Sequence, residues 1–330
     1  MDDFVSDILA CVQDELSFEL RARVAGMLAK NRTREMEKAF PEHRYGNPNA
    51  GNELNNKGYH RLGRVLDRDS VKHAINFLSN RKVYAAHVPV YSDGVARNIK
   101  DTKKISDYGS YKLSDVIETP GILDLALRDD ILDIVTDYIG APPLIYSMHA
   151  WWTYADRPTP GLTHSIHRDQ DDYRFVSLFL LLTDVPTLED GPTVYYAGTH
   201  QAKTLAPISI AHPSPSVRAL AHQIGTLNNF FPPLSGNAYH ISDLLRRLFK
   251  SEEVIFTGMA GTAVLADTFG FHSGTQPVEN DRLVVWLRYG LYRNLAYQID
   301  KTSPVPINTE IYQRLTPIQR EMTKLLISNK

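Results

Sequence analysis

Apolar positions along the chain fall into two textures. Between residue 3 and about residue 28, Val5, Ile8, Leu9, Val12, Leu16, Leu20, Val24 and Leu28 recur at three- and four-residue steps. That spacing predicts one apolar stripe on an amphipathic helix. The polar stretch NRTREMEKAFPEHRYGNPNAGNELNNKG follows, rich in Asn and Gly, and reads as a linker or a surface loop of the kind that forms a lid. GYHRLGRVLDRDSVKHAINFLSN then gives a short strand, a turn and a helix with Asp67 or Asp69 near its N-terminus. Residues 111–140 read as helical, with DLALRDDILDIVTDYIGAPP closed by Gly140 and two prolines.

From Leu144 the texture changes to short β-rich runs: LIYSMHAWWTY, RFVSLFLLLTD, TVYYAG, EVIFTG, GTAVLADT and DRLVVWLRYGLY, separated by Gly, Pro and Asp. Several short strands with turn signals between them predict a sandwich or barrel. Residues 201–250 interrupt the series with helix-like and Pro-rich sequence and read as an insertion between strands. A last helix is expected after Thr316, with that residue as N-cap, Pro317 at the first position and Gln319 completing a capping box.

Composition narrows the partners. Across 330 residues, 36 basic and 38 acidic side chains leave a formal net charge of -2, which gives no electrostatic footprint for nucleic acid or an anionic membrane. Cys11 is the sole cysteine, which excludes an internal disulfide and a cysteine-rich zinc site. The acidic, amphipathic N-terminal stretch is wrong for a signal peptide, and no run approaches the ~18 apolar residues of a membrane span. A cytoplasmic protein acting on a small molecule is the expectation, with oligomeric state unread.

The chemistry concentrates in THSIHRDQDDYRF, residues 163–175. In an extended segment, residues i and i+2 share a side, so His167 and Asp169 project together and Arg168 points away. An imidazole beside a carboxylate suits a divalent first-row metal, and a third ligand is needed. His272 is the best candidate, just past a strand and ten residues before Arg282. Two histidines and one carboxylate with three open positions are the signature of non-haem Fe(II) oxygenases; a closed structural zinc site would need a fourth protein ligand. On the strand that Arg282 opens, Leu283, Val285, Leu287, Tyr289 and Leu291 form one apolar face. Arg282, Val284, Trp286 and Arg288 form the other, which suits a ligand-lined interior in which a planar guanidinium holds a carboxylate.

These segments resemble the phytanoyl-CoA dioxygenase-like branch of the Fe(II)/2-oxoglutarate-dependent oxygenases. The resemblance covers roughly residues 57–294. GYHRLGRVLD is similar to the family's opening strand and turn, HRDQDDY to its His-x-Asp motif, and EDGPTVYYAGTHQ to its Asn/Asp-Gly-Pro segment and following turn. GTAVLADTFGFHSG and NDRLVVWLRYG resemble its distal-histidine and arginine strands. Ala197 stands where the family usually has proline, and residues 201–250 are inserted after His200, where members differ most.

The resemblance implies an α+β fold with a double-stranded β-helix (jelly-roll, cupin-like) core and flanking helices. The expected division is 1–56 as an N-terminal extension, 57–294 as the oxygenase domain with its insertion at about 201–250, and 295–330 as a C-terminal helical extension. It further implies Fe(II) held by His167, Asp169 and His272, 2-oxoglutarate with its 5-carboxylate on Arg282, and dioxygen as oxidant. The expected outcome is hydroxylation of a small or medium-sized organic molecule, with succinate and carbon dioxide released. Related halogenases replace the carboxylate ligand with a small residue, so Asp169 argues against halogenation.

Several residues carry blander readings beside these. His164 competes with His167 for the metal, but Pro158, Pro160 and Gly161 oppose the helix that would bring the two together. Asp171 and Asp172 read as solvated or turn-bonded, Arg288 as a structural ion pair at the far end of its strand, and His200 as structural. Ser147, His149, Trp151 and Thr153 share one face of their strand; a polar member such as His149 or Thr153 could assist the 5-carboxylate. Two alternatives stand beside the oxygenase reading: a metal- and ligand-binding barrel without oxygenase activity, and a non-haem iron oxygenase that does not use 2-oxoglutarate.

Overall fold

The computed structural model describes residues 16–156, 164–204, 215, 237–291, 305–306 and 309–328. In chain order the elements are α1 (Phe18–Ala39), α2 (Asn52–Lys57), β1 (Tyr59–Arg64), α3 (Arg68–Ser79), α4 (Ile99–Thr102), β2 (Tyr108–Ser110), α5 (Leu113–Glu118), α6 (Ile122–Ala126), α7 (Asp129–Ile139) and β3 (Leu144–Thr153). They continue with β4 (Val176–Leu181), β5 (Thr193–Tyr196), α8 (Asn237–Leu248), β6 (Glu253–Phe256), β7 (Thr262–Ala266), β8 (His272–Gly274), β9 (Arg282–Gly290), β10 (Val305–Pro306), α9 (Thr309–Arg314), α10 (Pro317–Thr323) and β11 (Ile327–Ser328).

The strands β1 to β9 form two antiparallel sheets. The larger has the order β1-β7-β4-β9-β3-β2 and the smaller β6-β5-β8. An isolated bridge between His167 and His272 adds the motif segment to the free side of β8. Each of the six β-rich runs expected from the sequence contains one of these strands. No helix among the described residues is long and apolar enough to cross a membrane.

Strand β9 shows what divides the two faces of the large sheet. Leu283, Val285, Leu287 and Tyr289 lie in the main core with residues of α1, α3, α5, α6, α7 and α10, so the helices cover that face. Each fully buried aliphatic side chain there contributes roughly 1.5–3 kcal/mol. The alternate positions, Arg282, Val284, Trp286 and Arg288, pair in register with Thr153, Trp151, His149 and Ser147 of β3. This second face turns toward the small sheet, as Arg282 shows by donating a hydrogen bond to the Gly191 carbonyl just before β5.

The N-terminal part departs from expectation. Residues 1–15, where the predicted helix begins, lie outside the described residues; α1 itself runs on to Ala39, into the first third of the presumed linker. Its buried face is Arg21, Ala25, Leu28, Ala29, Arg32 and Met36, while Leu20 of the predicted stripe is 48% exposed. The stripe was misplaced because two arginines belong to it. Arg21 reaches the Asp172 carbonyl, and Arg32 donates to the Pro142 carbonyl and to Glu321. The helix stops where Pro41 forces Phe40 out of the α region.

The segment 111–140 is three short helices instead of one. Pro120 holds Thr119 extended (ψ 124°), and Gly121 adopts φ 79°, a left-handed turn that costs glycine little. Asp67, not Asp69, caps α3, accepting from the Ser70 amide at 2.7 Å. At α10 the capping box of Thr316 and Gln319 is present with both hydrogen bonds. Most of the insertion at 201–250 lies outside the described residues. Leu245 of its helix α8 and the following Phe249 pack against Ile166, Val194, Tyr196 and Phe271 on the small sheet.

Candidate metal centre

His167 and His272 come together because their backbones exchange two hydrogen bonds, His167 N to His272 O at 2.9 Å and His272 N to His167 O at 3.1 Å. Two residues on, the Asp169 amide donates to the Thr268 carbonyl at 2.8 Å, which keeps the motif extended. One ligand atom from each of His167, Asp169 and His272 lies within 4.8 Å of the others. His164 is not in this cluster; it stacks on Tyr108 at 6.3 Å between ring centroids.

Both imidazoles are fixed in one tautomer. Nδ1 of His167 lies 2.8 Å from the Ser165 carbonyl, and Nδ1 of His272 lies 3.0 Å from the Gly270 carbonyl. A carbonyl only accepts, so each Nδ1 carries a proton, and Nε2 is the atom each neutral ring would offer a metal. Those Nε2 atoms stand 3.7 and 3.6 Å from Asp169 Oδ1 and Oδ2. Burial pulls the His272 imidazole down to about 4, and neighbouring His167 acts the same way against the opposing pull of Asp169. Burial alone would raise the Asp169 carboxyl; Arg288, then His272 and His167, hold it below the usual carboxylate range. Two neutral imidazoles and a carboxylate are the donor set a divalent first-row metal takes.

Arg282 is 7% exposed. Its guanidinium donates to the Gly191 carbonyl and, at 3.1 Å, to Thr153 Oγ1. Among the described residues no carboxylate pairs with it, and its Nε has no hydrogen-bond partner. Burial pulls it down to about 10. Gly191 is suited to this contact: it adopts φ 76°, and a Cβ there would meet the ring and nitrogen of Pro277 at 2.8 Å. Of the two polar residues singled out on β3, Thr153 touches Arg282, and His149 stacks on Trp286 at 5.4 Å.

Two sequence expectations need correction, the placement of Arg288 and the solvated or turn-bonded reading of Asp171, whereas the turn-bonded reading of Asp172 holds. Arg288 is not in an ion pair remote from the motif: its Nη2 donates to Asp169 Oδ2 at 2.8 Å, and Nη1 pairs with Asp171. The cluster sits at the Arg288 end of β9, with Arg282 six residues away at the other. Asp171 is accordingly buried, as is Asp172, which accepts from the Tyr173 amide at 2.6 Å and from the Leu291 amide. Neither is a solvated bystander. Arg168 does point away, into a cage of Phe18, Phe269 and Phe271, and donates to the Thr199 carbonyl at 2.9 Å. His200 is buried beside the Asn55 carbonyl, away from the cluster.

Sequence reasoning missed His87. It sits in the loop 84–97, whose base is tied by Val83 to Arg97 and by Tyr84 to Ser110. Its ring stacks on Tyr91 at 5.7 Å and meets Tyr108 edge-on at 5.9 Å. Burial pulls this imidazole down to about 4, His149 and His167 add to the effect, and Asp169 opposes it. No motif marks the segment. Two surface clefts, of about 460 and 320 Å³, include none of the three clustered donors.

No protein-family model matches the chain, and no curated protein does. Solved structures that resemble it include HygX from Streptomyces hygroscopicus with nickel, 2-oxoglutarate and hygromycin B bound. That structure is 17% identical, with a TM-score of 0.44, over 72% of this chain and 84% of its own. SnoK, a non-haem α-ketoglutarate-dependent carbocyclase from nogalamycin biosynthesis, is 17% identical over 81% of this chain and 98% of its own, with a TM-score of 0.46. EctD from S. alaskensis, with 2-oxoglutarate and 5-hydroxyectoine, is 17% identical over 73% of this chain and 74% of its own, with a TM-score of 0.44. At these levels of similarity, the functional reading rests on the geometry of the site itself.

Proposed function

We propose that the chain is an Fe(II)- and 2-oxoglutarate-dependent oxygenase of the phytanoyl-CoA dioxygenase-like kind. In this reading the two sheets are the halves of a double-stranded β-helix core within 57–294, and the substrate is a small or medium-sized organic molecule. One observation carries the reading: the face of β9 that looks toward the small sheet has a metal-suited donor cluster at one end and, at the other, a buried guanidinium without a carboxylate partner among the described residues. A dicarboxylate with a keto group beside one acid has a chelating end suited to the donor cluster and a second carboxylate suited to a guanidinium. Left alone, a buried Arg282 is costly, and a carboxylate held in two charge-assisted hydrogen bonds would offset the cost.

His167, Asp169 and His272 would hold the iron. When bound with 2-oxoglutarate and dioxygen, the iron supplies the oxidising power for C–H hydroxylation, with succinate and carbon dioxide as co-products. The chain's own contribution is positioning. The Ser165 and Gly270 carbonyls orient the two imidazoles, Thr153 and Gly191 hold the Arg282 fork, and Trp286 with His149 walls the space between.

The test is anaerobic titration with Fe(II) and then 2-oxoglutarate, following the visible metal-to-ligand charge-transfer absorption of the chelate. Arg282→Ala should weaken 2-oxoglutarate binding roughly 10- to 150-fold, since a hydrogen bond to a charged group contributes ~1.5–3 kcal/mol. An unchanged affinity removes Arg282 from this role. Iron uptake with no response to 2-oxoglutarate would favour an oxygenase without that cosubstrate. Failure to take up iron would favour a binding module.

A further inference from the structure

Arg288 is 2% exposed and lies between two carboxylates of the same short loop. Its Nη2 donates to Asp169 Oδ2 at 2.8 Å, and its Nη1 forms an ion pair with Asp171. The guanidinium stacks on the Trp286 ring at 3.7 Å from the centroid, and Phe175 stands 5.7 Å from it. The planar fork is therefore held at both nitrogens and on its π face, which a lysine could not reproduce. Ser177, opposite Arg288 in the β4–β9 register, bonds Thr268 at 3.0 Å, so the sheet beneath is tied to the motif as well.

The geometry points to Arg288 as a positioning residue that makes Asp169 a one-oxygen metal ligand, with Asp171 holding Arg288 in place. This rests on the metal reading above and deepens it. An aspartate carboxylate has a broad, two-fold terminal torsion and, unrestrained, can turn to offer both oxygens to a cation. Both oxygens face the cluster, Oδ1 3.7 Å from His167 Nε2 and Oδ2 3.6 Å from His272 Nε2, but Oδ2 is already engaged by the arginine at 2.8 Å, which leaves Oδ1 as the oxygen for the metal. Three protein donor atoms leave three coordination positions, and 2-oxoglutarate with dioxygen needs all three. A second carboxylate oxygen would take one of them. Asp171 also answers an electrostatic problem, since a buried cation next to a divalent metal is repelled unless an anion offsets it.

Co(II) is the probe, because its ligand-field absorption reports the coordination directly and needs no substrate. Full-length wild type, Arg288→Met, Arg288→Lys and Asp171→Asn are titrated with Co(II) and then with 2-oxoglutarate, with folding checked by circular dichroism. Arg288→Met should bind Co(II) ~10- to 100-fold more weakly, the cost usual for losing a partner of a metal ligand. Its ligand-field spectrum should differ from wild type, and the spectral change on adding 2-oxoglutarate should shrink. Arg288→Lys should recover only part of both, and Asp171→Asn should lose affinity in the same direction. Wild-type affinity and spectra in both Arg288→Met and Asp171→Asn overturn the assignment while leaving the metal site intact. If Arg288→Met does not fold, Asp171→Asn decides: an affinity within about two-fold of wild type, where a working partner of a metal ligand is worth ten-fold or more, counts against it. Failure of the wild-type protein to take up Co(II) overturns the metal reading and this one together.

Discussion

At the residue scale, the candidate metal centre depends on protonation states that burial sets. His87 and His272 are both pulled from the usual histidine value of 6.5 to about 4, first by burial and then by neighbouring imidazoles. A depressed native value means that the unfolded chain binds more protons than the folded one between about 4 and 6.5. Stability of the metal-free protein should therefore be complete above about pH 6.5 and fall as pH drops through that window. Chemical denaturation at a series of pH values checks this, and a flat profile from pH 7 to pH 4 would count against the buried, neutral histidines. His87 has a sharper readout: the Cε1 proton of its ring should show no titration step near the usual histidine value of 6.5. In the proposed reading, replacing His272 by Ala removes one of three ligands. Metal uptake and 2-oxoglutarate turnover should both fall to background, while the fold, judged by circular dichroism, is kept.

At the element scale, the parts of the site that were legible in the sequence are those whose signal is local. Alternation along β9 separates Leu283, Val285 and Leu287 from Arg282, Trp286 and Arg288, and the structure puts the first set in the helix-covered core. His167 and Asp169 were paired by extended-chain periodicity alone. What alternation cannot tell is which segment crosses over a face. Arg288 was therefore assigned away from the motif, whereas the loop carrying Asp169 and Asp171 lies on it. Helix α1 failed for a related reason. Hydropathy leaves arginines out of a buried stripe, yet Arg21 and Arg32 are buried because distant carbonyls receive them. The capping box at α10 was readable because it spans four residues. Thr316→Ala should cost about 1 kcal/mol of stability, measurable as a lower urea midpoint with unchanged slope. In the turn before β5, Gly191→Ala should be worse. It forces a Cβ into a left-handed conformation against Pro277 and displaces the carbonyl that Arg282 uses, so 2-oxoglutarate affinity should fall together with stability. Loss of stability alone would separate Gly191 from the arginine.

At the scale of the whole molecule, α1 acts as a strap behind the metal motif. Ala25, Leu28 and Ala29 enter the core that also contains Leu287 of β9, and Met36 is buried farther along the same helix face. At its other end Phe18 packs edge-on to Phe269 at 5.2 Å, and the Arg21 guanidinium lies 4.0 Å from the centre of that ring. Phe269 and Phe271 in turn flank Arg168, the residue between the two metal-suited positions of the motif. The back of the cluster is thus sealed by a segment more than a hundred residues away in sequence. A chain lacking residues 1–39 would expose this aromatic cage, uncover the Asp172 carbonyl and leave Glu321 without Arg32. Loss of even three or four buried apolar side chains at ~1.5–3 kcal/mol each is comparable to the ~5–15 kcal/mol of a whole fold. The truncated chain should therefore lose the sharp cooperative urea transition and the near-ultraviolet dichroism of its packed tryptophans, and with them metal uptake. A truncated chain that unfolds at the wild-type midpoint and binds Co(II) as tightly would show that the chain from residue 40 onward folds without the strap. In that case the positions of His167 and Asp169 would be fixed by the sheets alone.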